Sequence, residues 1–300
     1  MPPVPEALQS VLEAIGSTPV VRLSRVVPDG AAAIFLKLEL FNPGASAKDR
    51  VAIAWVEHQE AQGRLGAGAK IVVASTGSLG ISMAMVCAAR GYALTVVMPD
   101  AMALEKRATL RLYGAAVVLT PIEEGFAGAN ARAREAARAS SALFLDQLAG
   151  DGGVEAHART TGPELVEAAH AEGGLDGFVC GIGTGSILAG VARSVRRHFP
   201  KAVVAAVRPV GVPKMHRIQG LGLDGAGRKD YDRLMEVADA DAWAMKERLG
   251  REEGLLVGIS TGAHLVAAVR LARELGAERR VYTVAMDTGE RYFSLAQQFT

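Results

Sequence analysis

The chain has 300 residues, half of them apolar and 5% aromatic, and its formal net charge is +1. This length can bury a large core and predicts two domains. The balanced charge excludes the strongly basic surface that is typical of nucleic-acid-binding proteins. The two cysteines, Cys87 and Cys180, form no paired motif, which favours a reducing compartment. Since no signal-peptide pattern or bilayer-length apolar run occurs, we expect a cytoplasmic protein without membrane or nucleic-acid partners.

Short apolar runs alternate with amphipathic helical segments along most of the chain. We predict strands at residues 33–40, 70–74, 93–98, 116–120, 177–180, 202–207 and 281–286. We predict helices at residues 49–62, 80–90, 104–113, 127–139, 186–198 and 261–275. Many of the strands are continuous Val, Ile and Ala runs, which is the pattern of strands buried on both faces. The alternation predicts an α/β fold with parallel sheets covered by helices on both sides.

Glycines interrupt this alternation at residues 147–153, between two β–α blocks. We place a domain boundary there, with an N-terminal domain of residues 1–149 and a C-terminal domain of residues 150–300. A second irregular stretch, at residues 208–229, contains Pro209, Pro213 and several glycines. A loop of that length inside a compact domain is usually functional or mobile.

Residues 37–50 read KLELFNPGASAKDR and contain the first candidate for chemistry, Lys48. An apolar strand ends in a polar turn with proline and glycine, which delivers Lys48 to the start of a helix. A lysine becomes a covalent catalyst when burial or nearby cations lower its pKa, because the neutral amine attacks carbonyl groups. Most lysines are instead solvated surface charges. On this segment alone both interpretations stay open.

The loop at residues 180–187, CGIGTGSI, follows a predicted strand and opens a helix. Glycines at a helix start let backbone N–H groups approach an anion closely. A dinucleotide site is disfavoured, since Ser186 replaces the last glycine of the G-x-G-x-x-G pattern and Arg208 follows the next strand instead of an acidic residue. A single phosphate fits this loop better, and a plain tight turn is the structural alternative.

Two further loops have the same strand-to-helix setting. Residues 74–80, ASTGSLG, can bind a carboxylate as readily as a phosphate at the helix start. Residues 257–263, VGISTGA, lead into another predicted helix, where Ser260 is either a helix N-cap or a functional hydroxyl. The six histidines show no metal-ligand spacing, so no metal site is predicted.

Together these segments resemble the cysteine synthase and cystathionine β-synthase family, whose active-site segment is written N-P-x-G-S-x-K-D-R. The resemblance continues in the family's order at residues 15–23, 98–107, 160–164, 216–222 and 289–292. It implies the tryptophan synthase β-like fold, which is fold type II of the pyridoxal-phosphate enzymes, with two doubly wound α/β domains and the cofactor between them. It also implies that part of the first ~36 residues packs on the C-terminal domain, and that the protein is a homodimer.

The resemblance further implies a role for each matching residue. Lys48 would carry pyridoxal 5′-phosphate covalently, and Ser260 would bind its pyridine nitrogen. The phosphate cup would be formed by Gly183, Thr184, Gly185, Ser186 and Ile187. Ser78 would place its hydroxyl beside the cofactor's 3′ oxygen. The substrate carboxylate would be bound by Ser75, Thr76, Gly77, Leu79 and Gln147.

The sequence departs from the family in the substrate loop. Ser78 replaces an asparagine that donates to the cofactor, and Leu79 replaces a threonine and forms no side-chain hydrogen bond. Arg208 stands where relatives usually carry glutamate and suits a more anionic substrate. We expect β-replacement on a small serine-derived amino acid, as in O-acetylserine sulfhydrylases. The alternatives are a different nucleophile, β-elimination with O-phosphoserine, serine or threonine as substrate, and a non-catalytic binding protein of the same fold.

Overall fold

The computed structural model describes residues 7–211, 217–222 and 229–298. These residues form two sheets of different size, each covered by helices on both faces. His216, within one of the segments that carry the resemblance, lies outside the described residues. In the described part of the chain, no helix is both long enough and apolar enough to cross a membrane.

The larger sheet has six strands in the order β1-β2-β10-β7-β8-β9. Its strands are β1 (Val20–Arg22), β2 (Ala33–Leu38), β7 (Gly177–Gly181), β8 (Val203–Pro209), β9 (Arg233–Val237) and β10 (Arg280–Ala285). All neighbours are parallel except β1, which pairs antiparallel with β2 at the edge. The predicted parallel sheet is therefore confirmed, with one antiparallel edge strand that was not predicted.

The smaller sheet has four parallel strands in the order β5-β4-β3-β6. Its strands are β3 (Lys70–Ala74), β4 (Ala93–Pro99), β5 (Ala116–Thr120) and β6 (Leu143–Leu145). The central strands β3 and β4 are buried on both faces, as expected for parallel strands between helical layers. Each crossover between parallel strands runs through a helix, which places a helix layer on each face.

Those helices that were predicted begin and end close to their predicted bounds. They are α1 (Lys48–Ala61), α2 (Ser78–Arg90), α3 (Leu104–Leu112), α4 (Gly125–Ala139), α5 (Gly152–Arg159), α6 (Thr161–Ala171), α7 (Ser186–His198), α8 (Asp239–Glu253) and α9 (Ile259–Leu275). On the larger sheet, α8 and α9 cover one face and α6 and α7 the other. On the smaller sheet, α1, α2 and α3 face α4 across the strands.

Side-chain alternation along β2 shows why the larger sheet needs both helix layers. Ile34 and Leu36 pack into the core beneath α8 and α9, whereas Phe35 points to the opposite core and stacks on Tyr282 with ring centroids 4.7 Å apart. An apolar run on a two-sided strand buries every residue, because successive side chains point to opposite faces. The strand β2 therefore lies inside the larger sheet, although it precedes the strands of the smaller one. The domain boundary near residue 150 stays a prediction.

A buried ion cluster ties the first turn of α1 to β2 and α6. The Arg50 guanidinium donates to both carboxylate oxygens of Glu39 at 2.7 and 2.8 Å and to those of Glu164 at 2.6 and 2.7 Å. Lys37 adds a second cation, 2.8 Å from Glu164. Burial alone would raise the pKa of Glu164, but its hydrogen bonds with Arg50 and Lys37 outweigh that effect and lower it to about 2. The two cations of this cluster thus balance its two anions, and one of the cations, Arg50, lies only two residues after Lys48.

His264 on α9 joins the ends of two central strands as a neutral imidazole. Its Nε2 accepts the Gly181 N–H at 2.9 Å, so Nδ1 carries the proton and donates to the Val284 carbonyl at 2.9 Å. The side chain is fully buried. Burial lowers its pKa from 6.5 to about 4, against smaller raising effects of Val284 and Asp287.

The buried neutral imidazole should make folding stability depend on pH. Between pH 6.5 and 4 the unfolded state binds a proton at His264 that the folded state does not, so stability is lost as the pH falls through this window. The expected contribution is about 3 kcal/mol. Urea unfolding at pH 7 and pH 4.5 should show a smaller loss for His264→Gln than for the unsubstituted protein, while substitution of the exposed His58 by Gln leaves the loss unchanged. Equal losses for the protein and its His264→Gln variant would contradict this assignment.

Candidate active site

A pocket lies where the carboxyl ends of strands from both sheets meet. It is lined by residues that follow β3, β7 and β10 and by the turn after β2, and the space between protein atoms, its open mouth included, is about 680 Å³. Open α/β sheets bind ligands at this edge. The structure therefore gathers into one pocket segments that are up to 246 residues apart, from Ser46 to Tyr292.

Lys48 reaches this pocket through a turn that is docked on the end of β10. The Ala47 N–H donates to the Met286 carbonyl at 2.9 Å, the Thr288 N–H donates to the Ala45 carbonyl at 3.3 Å, and Ser46 forms an antiparallel bridge with Asp287. Helix α1 then begins at Lys48 and packs against the smaller sheet through Ala52 and Val56. The lysine therefore sits where the two sheet units meet.

The next residue, Asp49, closes the turn from inside. Its carboxylate accepts the Gly44 N–H at 2.6 Å and a short hydrogen bond from the Ser82 hydroxyl on α2. Burial raises the pKa of Asp49 to about 6, although both hydrogen bonds lower it. This carboxylate fixes the orientation of the turn that presents Lys48.

The environment of the Lys48 amine increases the share of its neutral form. Nζ lies 3.4 Å from the Thr184 hydroxyl, and the half-buried side chain lines the pocket. Burial lowers its pKa to about 8, with a smaller raising effect from the nearby Cys180 thiol. A lysine with a lowered pKa offers more neutral amine near physiological pH, which is what covalent chemistry with an aldehyde requires. The pocket thus supports the covalent interpretation of Lys48 over the surface one.

The glycine loop after β7 forms a cradle at the N-terminus of α7. A Cβ atom on Gly183 would lie 2.1 Å from the Gly220 carbonyl oxygen, so no larger residue fits without moving backbone. Gly185 occupies the N-cap position of α7 with φ 76° and has no side chain to cap the helix, and the Ser186 N–H makes only a long hydrogen bond of 3.5 Å to the Thr184 hydroxyl. The hydroxyls of Thr184 and Ser186 lie 2.9 Å apart at its rim. The helix N–H groups, the helix dipole and two hydroxyls together suit a phosphate.

Ser260 is not the N-cap of α9. Gly258 takes that position, and Ser260 lies within the first turn of the helix. Ser260 is 4% exposed and lines the pocket. The capping alternative is therefore wrong, because the cap falls two residues earlier. Ser260 reaches the same pocket as Lys48 and the glycine cradle.

The loop after β3 lies at the pocket, and both of its serine hydroxyls already have partners. The Ser75 hydroxyl accepts the Gly77 and Gly80 N–H groups at 3.0 and 2.9 Å. The Ser78 hydroxyl donates to Asp287 Oδ2 at 2.7 Å. Leu79 lines the pocket and is 2% exposed. Helix α2 begins at Ser78, two residues before the predicted start.

The remaining predicted residues divide between the pocket and the surface. Thr76, Gly185 and Ile187 line the pocket, and so does Gln147, whose side-chain amide donates to the Ala74 carbonyl at 2.9 Å. Arg208 does not line it. Its guanidinium pairs with Glu236 across β8 and β9 at 2.8 Å, and both side chains are more than 40% exposed. The suggestion that Arg208 suits an anionic substrate is therefore wrong.

Reasoning from the sequence missed nine of the residues that line the pocket. Four of them have side chains that bear on its chemistry: Lys106, Gln219, Asp287 and Tyr292. Asp287 accepts hydrogen bonds from Ser78 and Tyr292 through Oδ2, each at 2.7 Å, and its buried Oδ1 has no hydrogen-bond partner among the described residues. Three of the four belong to segments that carry the family resemblance, so the signal was present without an assigned role.

Comparison with known proteins identifies the family. The family described as "Pyridoxal-phosphate dependent enzyme" matches residues 11–287. The chain belongs to this family. A cysteine synthase of Staphylococcus aureus is 39% identical over 298 residues, covering 96% of both proteins, and a probable cysteine synthase of Bacillus subtilis is 39% identical over 293 residues, covering 93% of this chain and 94% of the relative.

Solved structures of pyridoxal-phosphate enzymes superpose on the whole fold. An O-ureido-L-serine synthase gives a TM-score of 0.92 at 35% identity, covering 96% of this chain and 94% of its own. An O-acetylserine-dependent cystathionine β-synthase from Helicobacter pylori gives 0.90 at 30% identity, covering 96% and 98%. The protein is thus a fold type II pyridoxal-phosphate enzyme, and the predicted fold class and cofactor are confirmed.

The described residues fit pyridoxal phosphate. An amine with a lowered pKa lies at Lys48 for its aldehyde, and a cradle that excludes even a Cβ atom lies at Gly183 for its phosphate. Ser260 supplies a neutral hydroxyl in the same cavity. These are the three kinds of group that an aldehyde, a phosphate and a pyridine ring require.

Filling the cradle should weaken cofactor binding by this pyridoxal-phosphate enzyme. In Gly183→Ala the new methyl group meets the Gly220 carbonyl and must displace backbone, a strain of about 1–3 kcal/mol. We expect the Kd for pyridoxal phosphate, measured by absorbance titration of the cofactor-free protein, to rise about tenfold or more. Gly66→Ala is the matched control, since open space surrounds that position. Equal affinities for the two variants would contradict the proposed phosphate cradle.

Proposed function

We propose that this protein catalyses β-replacement on a serine-derived amino acid, in the manner of a cysteine synthase. The observation that carries the proposal is the Lys48 amine, 3.4 Å from the Thr184 hydroxyl on the rim of the glycine cradle, in one pocket with Ser260. The similarity to cysteine synthases over almost the whole chain supports it.

Each part of the pocket takes one part of the reactants in this proposal. The cradle of residues 183–187 binds the cofactor's phosphate, Ser260 its pyridine nitrogen and Lys48 its aldehyde carbon. The loop of residues 75–79 and the Gln147 amide bind the substrate's α-carboxylate. Ser78 borders the cofactor's 3′ oxygen, and its donation to Asp287 links that contact to a carboxylate.

Bound pyridoxal phosphate supplies an electron sink that favours loss of the α-proton and of a substituent at the β-carbon. The neutral Ser260 hydroxyl does not protonate the pyridine nitrogen fully, which moderates that sink and suits β-chemistry over transamination. Once the substrate's amine has replaced it on the aldehyde carbon, Lys48 Nζ, whose pKa is lowered to about 8 by burial, would accept the α-proton and hold it within the pocket. Leu79 and Met286 contribute apolar surface to the pocket wall.

The leaving group and the nucleophile are proposed from the relatives. Relatives are named for cysteine synthesis, for O-acetylserine-dependent cystathionine formation and for O-ureido-L-serine synthesis. We propose O-acetylserine as the amino-acid substrate and sulfide as the nucleophile. The second candidate is a different nucleophile or β-elimination, favoured by Leu79 and by the Ser78–Asp287 hydrogen bond in the substrate loop.

The test is a steady-state comparison with the cofactor-loaded enzyme. O-acetylserine with sulfide should give cysteine at a higher kcat/KM than O-phosphoserine, serine or threonine with the same nucleophile. Pyruvate or 2-oxobutyrate formation without sulfide would identify β-elimination instead. A protein that binds no pyridoxal phosphate and turns over none of these substrates would sink the enzyme proposal and favour a binding protein.

We also propose that the protein is a cytoplasmic homodimer, as the family resemblance implies. Light scattering of the cofactor-loaded protein should give twice the 31.3 kDa mass of the chain. A mass that equals one chain over a hundredfold concentration range would contradict the dimer.

A further inference from the structure

A second lysine, Lys106 on α3, lies in the wall of the same pocket and has no role in the function proposed above. It is 2% exposed, its Nζ donates to Gln219 Oε1 at 2.8 Å, and it lies 4.4 Å from the centre of the Tyr292 ring. Among the described residues it forms no ion pair. A buried cation is normally paired with an anion because desolvation of the charge is costly. Lys106 has only a neutral amide and an aromatic ring.

Lys106 passes directly beside the substrate loop. A Cβ atom on Gly77 would lie 2.3 Å from the Lys106 Cδ atom and 3.1 Å from its Nζ atom. Gly77 has φ 137° and is the N-cap of α2. The ammonium therefore lies within a few ångströms of the helix start where the loop binds an anion in the proposed function.

The loop itself offers such an anion only neutral donors. The Ser75 hydroxyl accepts hydrogen bonds from the Gly77 and Gly80 N–H groups, and the Ser78 hydroxyl donates to Asp287. The Thr76 hydroxyl and the uncapped N–H groups at the start of α2 remain, and none of them carries a charge. A carboxylate at this position would also lie near the negative charge of Asp287. The loop thus provides an anion position but little positive charge.

We propose that Lys106 is a substrate-binding residue whose ammonium supplies the positive charge for the substrate's α-carboxylate. The proposal rests on the proposed function, in which this loop binds that carboxylate. Gln219 uses one of the three N–H donors of the ammonium and fixes its position, and Tyr292 covers one side by a cation–π contact. Gln219 belongs to the segment whose Gly220 carbonyl packs on Gly183, so Lys106 also connects the substrate loop with the phosphate cradle.

The protonation state of Lys106 agrees with this role. Burial lowers its pKa to about 8, while Asp287 raises it and Arg291 lowers it by charge, and Glu105 adds a smaller raising effect. At pH 7 most molecules therefore carry the ammonium. A bound carboxylate would stabilise the charge further.

The test compares two ligands that differ only in the carboxylate. L-alanine and L-alaninamide share the amine and lack a β leaving group, so their Kd values can be read from the absorbance change of the cofactor-loaded enzyme. Because Lys106→Met removes a hydrogen bond to a charged group, we expect the ratio of the alaninamide Kd to the alanine Kd to fall about tenfold or more in this variant. Lys106→Arg should keep most of it. Lys70→Met is the matched control, since Lys70 is exposed at the opposite end of β3 from the loop.

Steady-state kinetics provide a second readout. In Lys106→Met the KM for the amino-acid substrate should rise about tenfold, while kcat changes less than threefold, because the residue contacts the carboxylate and not the reacting bonds. Lys106→Gln keeps a polar partner for Gln219 and should show the same loss of preference, which covers the case in which the methionine variant does not fold.

The outcomes separate this inference from the function on which it rests. If the unsubstituted protein binds no pyridoxal phosphate, the proposed function fails. If the protein binds the cofactor and replaces β substituents but both neutral Lys106 variants keep the preference for alanine, only the role of Lys106 fails.

Discussion

Replacing Lys48 with alanine should remove covalent cofactor binding and lower kcat by at least about 10³-fold, since both nucleophile and proton carrier are lost. The amine lies in the pocket with a pKa lowered to about 8 by burial and faces the Thr184 hydroxyl. Borohydride reduction of the loaded protein followed by peptide mass spectrometry should locate the cofactor on Lys48. The exposed Lys201→Ala variant should retain the activity of the unsubstituted protein.

The presence of Lys106 in the same pocket lets this experiment distinguish between two candidate lysines. Lys106 is the other buried amine among the pocket residues described, and its Nζ is held by Gln219. A reduced peptide that contains residue 106 in place of residue 48, or a Lys48→Ala variant with more than a tenth of the activity, would contradict the assignment. The rate at which cofactor-free protein takes up pyridoxal phosphate should rise with pH up to about 8 and then level off, because the neutral amine is the reactive form.

Replacing Arg50 with methionine should lower the free energy of unfolding by about 3–5 kcal/mol, because it leaves buried carboxylates without their main cation. Glu39 is fully buried and accepts two hydrogen bonds from Arg50, whereas Glu164 keeps Lys37 as a partner. Urea unfolding at pH 7 measures the loss. The exposed pair of Arg132 and Glu135 provides the control, since Arg132→Met should cost less than about 1 kcal/mol.

A double variant separates the lost charge balance from lost packing at Arg50. Arg50→Met combined with Glu39→Gln removes both charges of the most buried pair, so part of the stability should return. A loss of less than 1 kcal/mol in the single variant, or no recovery in the double one, would show that the cluster is not what holds α1 to β2.

Much of the fold could be predicted from the sequence because its signals are local. Long apolar runs such as β4 and long periodic helices such as α9 specify their own structure. Several of the missed elements lack that signal, although the 15-residue helix α8 was missed as well. Strands β1 and β6 have three residues each, and α5 begins at two glycines within the predicted seam. Their structure depends on partners: β6 forms only as the edge neighbour of β3, and α5 packs on α1 and α7.

The candidate site divides in the same way. Lys48, Ser260 and the two glycine loops stand in short motifs in which residue type and backbone geometry are linked, so they could be named in advance. Lys106 and Asp287 could not, because each acts through contacts with segments far away in the chain. Arg208 shows the opposite error. It is an unusual residue in the sequence, yet the register of β8 and β9 places it opposite Glu236 on the surface.

The turn that carries Lys48 has a mechanical consequence. Its backbone is bonded to the end of β10 in the larger sheet, while helix α1, which starts at the same residue, packs on the smaller one. A rotation of one sheet unit against the other would therefore pivot close to Lys48 and move the lysine least. The hydrogen bond of Lys106 with Gln219 lies outside that turn and would change more. We expect structures with and without a bound amino acid to differ more in the distance between Lys106 Nζ and Gln219 Oε1 than in the distance between Lys48 Nζ and Thr184 Oγ1.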